Sequence, residues 1–167
     1  MAPDRQQWIE LRVRELAQPA FKFAMVLVRD PSLAEEIVQE AFMRAWQSGK
    51  TPHEAGPFKN WLYRIILNLV RSRQRRERSQ ARLVLELPTQ SWQATSLDPD
   101  LAQALQSLSP REREAVYLRF FEDASYEDAA QVMGTRPATV RVLVHRALAK
   151  LRRSLEDCSF VLESGVV

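Results

Sequence analysis

Arginine is concentrated in two segments of this sequence, and its planar, permanently charged guanidinium group is well suited to bind phosphate. In the first segment, residues 71–82, Glu77 is the only acidic residue. The arginines of this segment are Arg71, Arg73, Arg75, Arg76, Arg78 and Arg82. So dense a positive charge attracts polyanions and makes their affinity depend on salt concentration. The pattern predicts binding to a nucleic-acid backbone, with a merely solubilising helix end as the alternative.

The second basic segment, residues 139–153, contains no acidic residue. It belongs to a predicted last helix, 138–155, whose apolar side is expected to be buried and contains Val140, Val144, Ala147, Leu148, Leu151 and Leu155. The opposite side contains Thr139, Val142, His145, Arg146, Ala149 and Arg153, flanked by Arg141, Lys150 and Arg152. Acids precede this helix, at Glu112, Glu114, Glu122, Asp123, Glu127 and Asp128. Such sorting of charge is typical of a helix that enters a DNA groove, although cations are also favourable at any helix C-terminus.

Local signals predict a helix-turn-helix that positions this second segment. Ser109 and Glu112 form the pattern of a capping box at a helix start. Ser125 repeats that signal before a short helix predicted over 126–133. Gly134 then stands where a helix C-terminus favours a left-handed residue. Because the last helix follows after only a few residues, the two form a helix-turn-helix candidate.

A third surface of interest lies nearer the N-terminus. Asp30 and Pro31 begin a helix predicted to run to about Gln47, because Asp can cap free amides and Pro suits the first helical position. The apolar side of this helix contains Leu33, Ala34, Ile37, Val38, Ala41, Phe42 and Ala45. The other side contains Glu36, Gln39, Glu40, Met43 and Arg44. That polar side is available to solvent or to a partner protein.

Further helices are predicted on both sides of this one. An amphipathic helix covers Trp8 to Val28, and a loop from Ser48 to Pro57 leads to a helix that begins near Phe58. Phe58, Trp61 and Tyr63 on that helix could stack on unpaired bases. The aliphatic residues on the face shared by Phe58 and Trp61 are Leu62, Ile65 and Leu69. Phe58 and Trp61 are therefore predicted to lie in the core.

Composition and spacing predict an all-α protein of two small helical domains. Only four glycines occur among 167 residues, and Leu, Ala, Arg, Glu and Gln, which lose little freedom on a helix, are abundant. The stretch 79–100 lacks helical periodicity and contains Pro88 and Pro99, so it is predicted to be a flexible linker. The domains would then span residues 1–78 and 101–167.

Composition also excludes several classes of function. The single cysteine, Cys158, cannot form an internal disulfide. The two isolated histidines, His53 and His145, cannot make a metal site unless carboxylates or partner chains complete it. No cofactor is predicted. The absence of a Gly-rich phosphate loop or a nucleophile–base pair argues against an enzyme. No apolar run approaches the ~20 residues that span a bilayer, so a cytoplasmic protein without membrane insertion is expected.

Three stretches together resemble the extracytoplasmic-function sigma factors of bacterial RNA polymerase. They are DPSLAEEIVQEAFMRAW at Asp30 to Trp46, FKNWLYRIILNLVRSRQRR at Phe58 to Arg76, and LSPREREAVYLRFFEDASYEDAAQVMGTRPATVRVLVHRALAKLRR at Leu108 to Arg153. They are similar to regions two and four of that family, in the family's order and spacing. The resemblance implies a region 2-like helical bundle and a region 4-like helix-turn-helix.

The resemblance implies a role for each surface. Glu36, Gln39 and Glu40 would dock on the clamp coiled coil of the largest polymerase subunit, and Asn68 would lie near a flipped base of the minus-10 element. The last helix would read the minus-35 element. The DNA-binding residues are expected to be Asn68, Arg71, Arg73, Arg75, Arg76, Thr139, Arg141, Val142, His145 and Arg146. The implied partners are core RNA polymerase, promoter DNA and an anti-sigma factor, and the linker would thread toward the polymerase active-site channel.

The sequence departs from the family pattern at several positions that bear on promoter choice. Pro52 and His53 stand where many relatives place an aromatic residue, and Leu67 replaces a position that is often polar. In the last helix Val142 and Leu143 replace a common Ser-Arg pair. Promoter specificity therefore does not carry over from the family.

Two other interpretations remain open at this stage. A helix-turn-helix transcription regulator would account for residues 125–153 but leaves the first block unexplained. A sigma mimic, which folds alike but sequesters a regulatory partner instead of binding promoters, is compatible with Val142 and Leu143 on the presumed reading helix.

Overall fold

The computed structural model describes residues 4–81 and 104–164, with side chains at 4–80 and 104–156. All regular structure in these ranges is helical. The helices are α1 (Arg5–Val28), α2 (Pro31–Gln47), α3 (Ala55–Ala81), α4 (Pro110–Val116), α5 (Tyr126–Met133) and α6 (Pro137–Ser164), with a π-helical turn at Tyr117–Phe121. The chain divides into two compact units, Met1–Trp92 and Gln93–Val167. The predicted all-α class is confirmed.

The predicted linker lies mostly outside the described residues, and so do Pro88, Pro99 and Arg82. Its first residues are described and are helical, because α3 continues to Ala81, past the predicted boundary at residue 78. Gln80 and Ala81 are good helix formers, and no Gly or Pro interrupts this stretch.

In the first unit, a tight turn joins α1 to α2. Arg29 adopts the left-handed conformation, with a φ of 59°, and its amide donates to the Met25 carbonyl. Asp30 then caps α2, as predicted, because its side chain accepts the amide proton of Leu33 at 3.1 Å. The short turn makes α1 and α2 neighbours, and α3 packs against both.

The core of the first unit contains more of α3 than the sequence predicted. Phe58 is fully buried, as expected, but the aliphatic residues that share its core are Leu62, Ile66, Leu67 and Val70. The predicted core residues Trp61, Ile65 and Leu69 are half-buried. The buried face is therefore rotated by about one position from the predicted one.

Tyr63 is also part of this core, so the expectation that it could stack on bases is wrong. Its ring is 1% exposed and stacks on the ring of Phe23, with centroids 4.8 Å apart and planes 8° apart. The reason is that α1 covers this side of α3, which a helical wheel of α3 alone cannot show.

The loop before α3 is held by its own polar groups. The hydroxyl of the buried Thr51 lies 2.9 Å from the carbonyl oxygens of Ala45 and Ser48, and Arg5 also donates to the Ser48 carbonyl. Helix α3 begins at Ala55 instead of near Phe58. Pro57 is tolerated in the first turn because amides there have no intrahelical acceptor.

The second unit begins with the predicted capping box. The Glu112 amide donates to the Ser109 hydroxyl at 3.3 Å, and the Ser109 amide donates to the Glu112 carboxylate at 2.9 Å. Lys150 of α6 donates to the same carboxylate at 2.8 Å. The buried Glu112 side chain thus joins the start of α4 to the middle of α6.

The turn between α5 and α6 has the predicted geometry. Gly134 is left-handed, with a φ of 65°. The Thr135 amide donates to the Ala130 carbonyl at 3.0 Å, which is the bond of a Schellman motif. The helix-turn-helix prediction is confirmed, with α6 beginning at Pro137.

The buried side of α6 is shorter than predicted. Val140, Val144 and Ala147 are buried, but Leu148 and Leu155 are 40% and 45% exposed, so their predicted burial is wrong. Helix α6 packs against both α4 and α5, and Leu151, one turn beyond Ala147, still packs against the core. The buried face is therefore narrower than predicted at Leu148 and ends before Leu155.

A first prediction concerns Glu112. Burial by itself raises the pKa of Glu112, but the hydrogen bonds from Lys150 and Ser109 and the Lys150 charge outweigh burial and hold the pKa below its usual value. The stabilisation is therefore fully present above the ordinary carboxyl pKa of 4.5 and is lost as pH falls through the lowered folded value. At pH 7, Glu112→Gln should lower the free energy of local opening of α4 by about 1–2 kcal/mol.

Hydrogen exchange of the α4 amides in the full chain measures this effect at pH 7. The exposed Glu127→Gln substitution is the matched control and should leave the protection of α4 unchanged. Equal protection in wild type and Glu112→Gln would contradict the assignment. Thermal unfolding followed by circular dichroism measures the stability of wild type and of Glu112→Gln. The difference in stability between them should shrink at a pH low enough to protonate Glu112.

Candidate nucleic-acid and polymerase interfaces

Helices α2 and α3 line a groove that contains all three residues predicted to bind polymerase. Its volume is about 370 Å³. The α2 side is lined by Glu36, Ile37, Gln39, Glu40, Met43 and Arg44, and the α3 side by Leu69, Ser72, Arg73 and Arg76. The α2 side of the groove contains acids, Arg44 and the exposed Met43, and the α3 side contains arginines, a mixture that suits a protein surface of mixed polarity.

The acids of this groove are paired with neighbouring arginines. Glu36 forms an ion pair with Arg73 across the groove, and Glu40 pairs with Arg44 on its own helix at 2.8 Å. Both pairs are solvent-exposed, so each contributes little to stability and can be exchanged for a partner's charges. The structure thus brings one predicted DNA-binding residue, Arg73, into the predicted polymerase site.

The opposite side of α3 carries the other basic residues. Asn68, Arg71, Gln74, Arg75 and Arg78 line an open depression of about 420 Å³. Asn68, Arg75 and Arg78 are exposed. We call these five residues the outer face of α3. Their side chains can follow a phosphate backbone while Asn68 supplies both a hydrogen-bond donor and an acceptor.

The predicted basic cluster is therefore divided between two faces of one helix. Asn68, Arg71 and Arg75 are brought together, whereas Arg73 and Arg76 face α2. Gln74 was missed by the sequence reasoning. The spacing of 68, 71, 75 and 78 along a helix would have indicated this grouping, because these positions recur every three or four residues.

On α6, the predicted reading face is exposed. Val142 is 47% exposed, His145 and Arg146 are exposed, and Thr139 is half-buried. Arg141 is exposed and lies 3.9 Å from the Glu127 carboxylate of α5. Lys150, which the helical wheel placed beside this face, is instead engaged with Glu112. The exposed groups of the predicted reading face thus include residues in the first half of α6 and, beyond Lys150, the exposed Arg152 and Arg153.

No helix among the described residues is long and apolar enough to cross a membrane.

Comparison with known proteins gives matches over both units. The sigma-70 region 2 family model matches residues 12–80, and the sigma-70 region 4 family model matches residues 99–151. The RNA polymerase sigma factor SigV of Bacillus subtilis strain 168 is 30% identical over 147 residues, which cover 85% of this chain and 89% of that protein.

A second relative is longer than this chain. The ECF RNA polymerase sigma factor SigE of Mycolicibacterium smegmatis is 33% identical over 159 residues, which cover 87% of this chain but only 60% of that protein. Among solved structures, the sigma factor RpoE in complex with the anti-sigma factor NepR from Bartonella quintana superimposes with a TM-score of 0.75 and 30% identity. The match covers 88% of this chain and 96% of the RpoE chain.

These matches confirm the resemblance seen in the sequence. They also confirm that a region 2-like and a region 4-like helical part occur together, and they confirm the sigma-factor function that the resemblance implied. The two family models occur in one chain in the order that the sequence motifs predicted. The chain belongs to the extracytoplasmic-function family of RNA polymerase sigma factors.

Proposed function

We propose that this chain binds core RNA polymerase and directs it to promoters by contacting their minus-10 and minus-35 elements, and that it catalyses no reaction itself. One observation carries the proposal. Each of the two compact units has an exposed face that can contact DNA, and the two faces differ in chemistry. The outer face of α3 is rich in arginine, and the first half of α6 mixes cations with Val142. A protein that contacts DNA at two elements needs both.

In the first unit, the outer face of α3 is the proposed minus-10 contact. Arginine in this density binds phosphates without reading sequence. Sequence specificity at the minus-10 contact must therefore come from Asn68 and from the loop before α3. His53 is exposed in that loop, and its ring lies 6.2 Å from that of Trp8. The groove between α2 and α3 is the proposed polymerase contact, where Glu36 and Glu40 would exchange their present arginine partners for those of the polymerase.

In the second unit, α6 is the proposed minus-35 reader. Thr139, Arg141 and Val142 lie in its first two turns, where the recognition helix of a helix-turn-helix places its base contacts. His145 and Arg146 follow one turn later. The burial of Val140, Val144 and Ala147 fixes the rotation of α6 so that these five side chains face away from the core.

An anti-sigma factor is the proposed regulatory partner. The related RpoE was solved in complex with the anti-sigma factor NepR, and a factor that redirects polymerase needs a means of being held inactive. A sigma factor acts where its polymerase acts, so the cytoplasmic location predicted from the sequence is part of this proposal.

Run-off transcription with purified core polymerase on genomic fragments tests the proposed function. The full chain should produce discrete new start sites that are absent with core enzyme alone. Binding to DNA without polymerase, and no new starts, would instead indicate a helix-turn-helix regulator. Inhibitor binding without promoter use would indicate a sigma mimic.

A second prediction concerns the groove between α2 and α3. Reversing the charge of Glu36 and Glu40 together, by Glu36→Lys and Glu40→Lys, should abolish binding to core polymerase without unfolding the protein. Both side chains are solvent-exposed and make only surface ion pairs, so the substitution removes no core contact. Binding of labelled protein to core polymerase measures the loss, and Glu10→Lys on α1 is the matched charge control. Unchanged affinity for core polymerase would remove this assignment.

A third prediction separates the two faces of α3. Arg75→Ala should reduce the slope of log affinity against log salt by about 1 on every promoter tested, because one phosphate contact is lost. Arg73→Ala should reduce it less, since Arg73 lies in the groove between α2 and α3 and not on the outer face. The affinity of the holoenzyme for promoter DNA at several salt concentrations measures both slopes. Equal slopes, or a changed preferred sequence with Arg75→Ala, would contradict phosphate binding by the outer face.

A fourth prediction concerns Val142. An exposed valine on a helix in the major groove can contact a thymine methyl group. The preferred upstream element should therefore include a thymine that Val142→Ser no longer selects, which selection from random upstream sequences with holoenzyme measures. An unchanged sequence profile would contradict methyl contact. If that profile came with weakened inhibitor binding, Val142 and Leu143 would be a docking patch for the anti-sigma factor.

A further inference from the structure

Two arginines from different elements approach the ring of Tyr126, the first residue of α5. The guanidinium carbon of Arg141, in α6, lies 5.0 Å from the ring centroid. That of Arg119, in the π-helical turn, lies 5.3 Å from the same centroid. Both distances are within the range of a cation–π interaction. Tyr126 thus links the turn after α4 to the start of the proposed reading helix.

Each of the two cations has a carboxylate of its own. Arg119 lies 3.5 Å from Asp123 and also donates to the Ala124 carbonyl at 3.4 Å. Arg141 lies 3.9 Å from Glu127. These carboxylates offset the repulsion between two like charges that approach one ring.

The two arginines differ in how firmly they are held. Arg119 is half-buried and bonded to the backbone, so its guanidinium group is fixed. The Arg141 side chain is 59% exposed and that of Glu127 is 65% exposed, so their ion pair is screened by water and contributes little. The ring of Tyr126 is therefore the contact that restricts the Arg141 guanidinium before DNA arrives.

We propose that Tyr126 is a positioning residue for promoter recognition: its ring holds the Arg141 guanidinium at the start of α6, and Glu127 neutralises that charge until DNA replaces it. The inference rests on the proposed function of α6. An arginine that is already restricted loses less side-chain entropy when it binds. The exposed Glu127 carboxylate is easily displaced by a phosphate or a guanine edge, so restriction does not block the contact.

The position of Tyr126 allows this role to be tested without unfolding α5. The helix is capped by the Ser125 hydroxyl, and its buried residues are Ala129, Ala130, Val132 and Met133. Tyr126 is half-buried at the first helical position. Replacing its ring therefore leaves both the cap and the core of the helix-turn-helix in place.

A double-mutant cycle of Tyr126→Leu and Arg141→Ala in the full chain is the decisive experiment, with holoenzyme affinity for a promoter that has an upstream element as the measurement. Loss of the ring should weaken binding by about two- to fivefold while Arg141 is present, which corresponds to an exposed cation–π contact. In the Arg141→Ala background the same substitution should have no effect. Tyr126→Phe, which keeps the ring, should bind like wild type.

A second measurement detects the contact without DNA. In the full chain, the Arg141 Nε–H resonance should lose its ring-current shift in Tyr126→Leu and keep it in Tyr126→Phe. Equal weakening of promoter binding by Tyr126→Leu in both backgrounds would overturn the positioning role, and so would an ineffective Arg141→Ala. Those results leave the proposed function intact if the wild-type protein still directs transcription starts at promoters. The absence of such starts with the wild-type protein would refute the proposed function itself.

Discussion

The rotation of each helix about its own axis is set by the burial of one apolar face, and the direction of the exposed charges on the described helices follows from that constraint. On α3, burial of Phe58, Leu62 and Ile66 turns Asn68 and Arg75 outward. On α6, burial of Val140, Val144 and Ala147 does the same for Val142 and Arg146. Each large side chain removed from water supplies about 1.5–3 kcal/mol, far more than any exposed ion pair. Packing therefore decides which side chains can meet DNA, and electrostatics acts only on what packing leaves exposed.

The ion pairs of the described residues differ in how readily they can be exchanged. In the Lys150–Glu112 pair, the Glu112 side chain is buried and its carboxylate also caps α4. Breaking this pair therefore disturbs both α4 and α6. The Arg73–Glu36 and Arg141–Glu127 pairs are exposed on both sides. An incoming phosphate or carboxylate can replace one member of such a pair at little cost, because water already screens the interaction. The structure thus distinguishes a cation with a structural role from cations that a partner can recruit, and α6 contains one of each, Lys150 and Arg141.

The features predictable from the sequence were those set by neighbours along the chain. The cap at Asp30, the capping box at Ser109 and the left-handed Gly134 each depend on a few consecutive residues, and all have the predicted geometry. Features that depend on distant helices were missed. Tyr63 is buried because α1 covers it, and Leu155 is 45% exposed although it lies on the apolar side of α6.

The candidate site shows the same limit. Charge density predicted the two arginine-rich segments, but it could not show that Arg73 faces Glu36 across a groove while Arg75 faces solvent. The π-helical turn at Tyr117–Phe121 was not predicted either. In this turn the Glu122 amide donates to the Tyr117 carbonyl, five residues earlier, at 3.2 Å. No residue type in the sequence signals such a hydrogen bond. That turn places Arg119 beside Tyr126, so this contact could only be seen in the folded chain.

Two exposed faces on separate units have an energetic consequence for promoter choice. When two faces of one chain bind one DNA molecule, the second contact forms at an effective concentration set by the segment that joins them, so modest affinities multiply. In the proposed function, arginine on the outer face of α3 would supply affinity that is nearly independent of sequence. Discrimination would then come from a few side chains, such as Asn68 and Arg141 by hydrogen bonding and Val142 by methyl contact. Because a single base mismatch costs about 1–3 kcal/mol, so small a set of readers suffices only when both faces engage the same promoter.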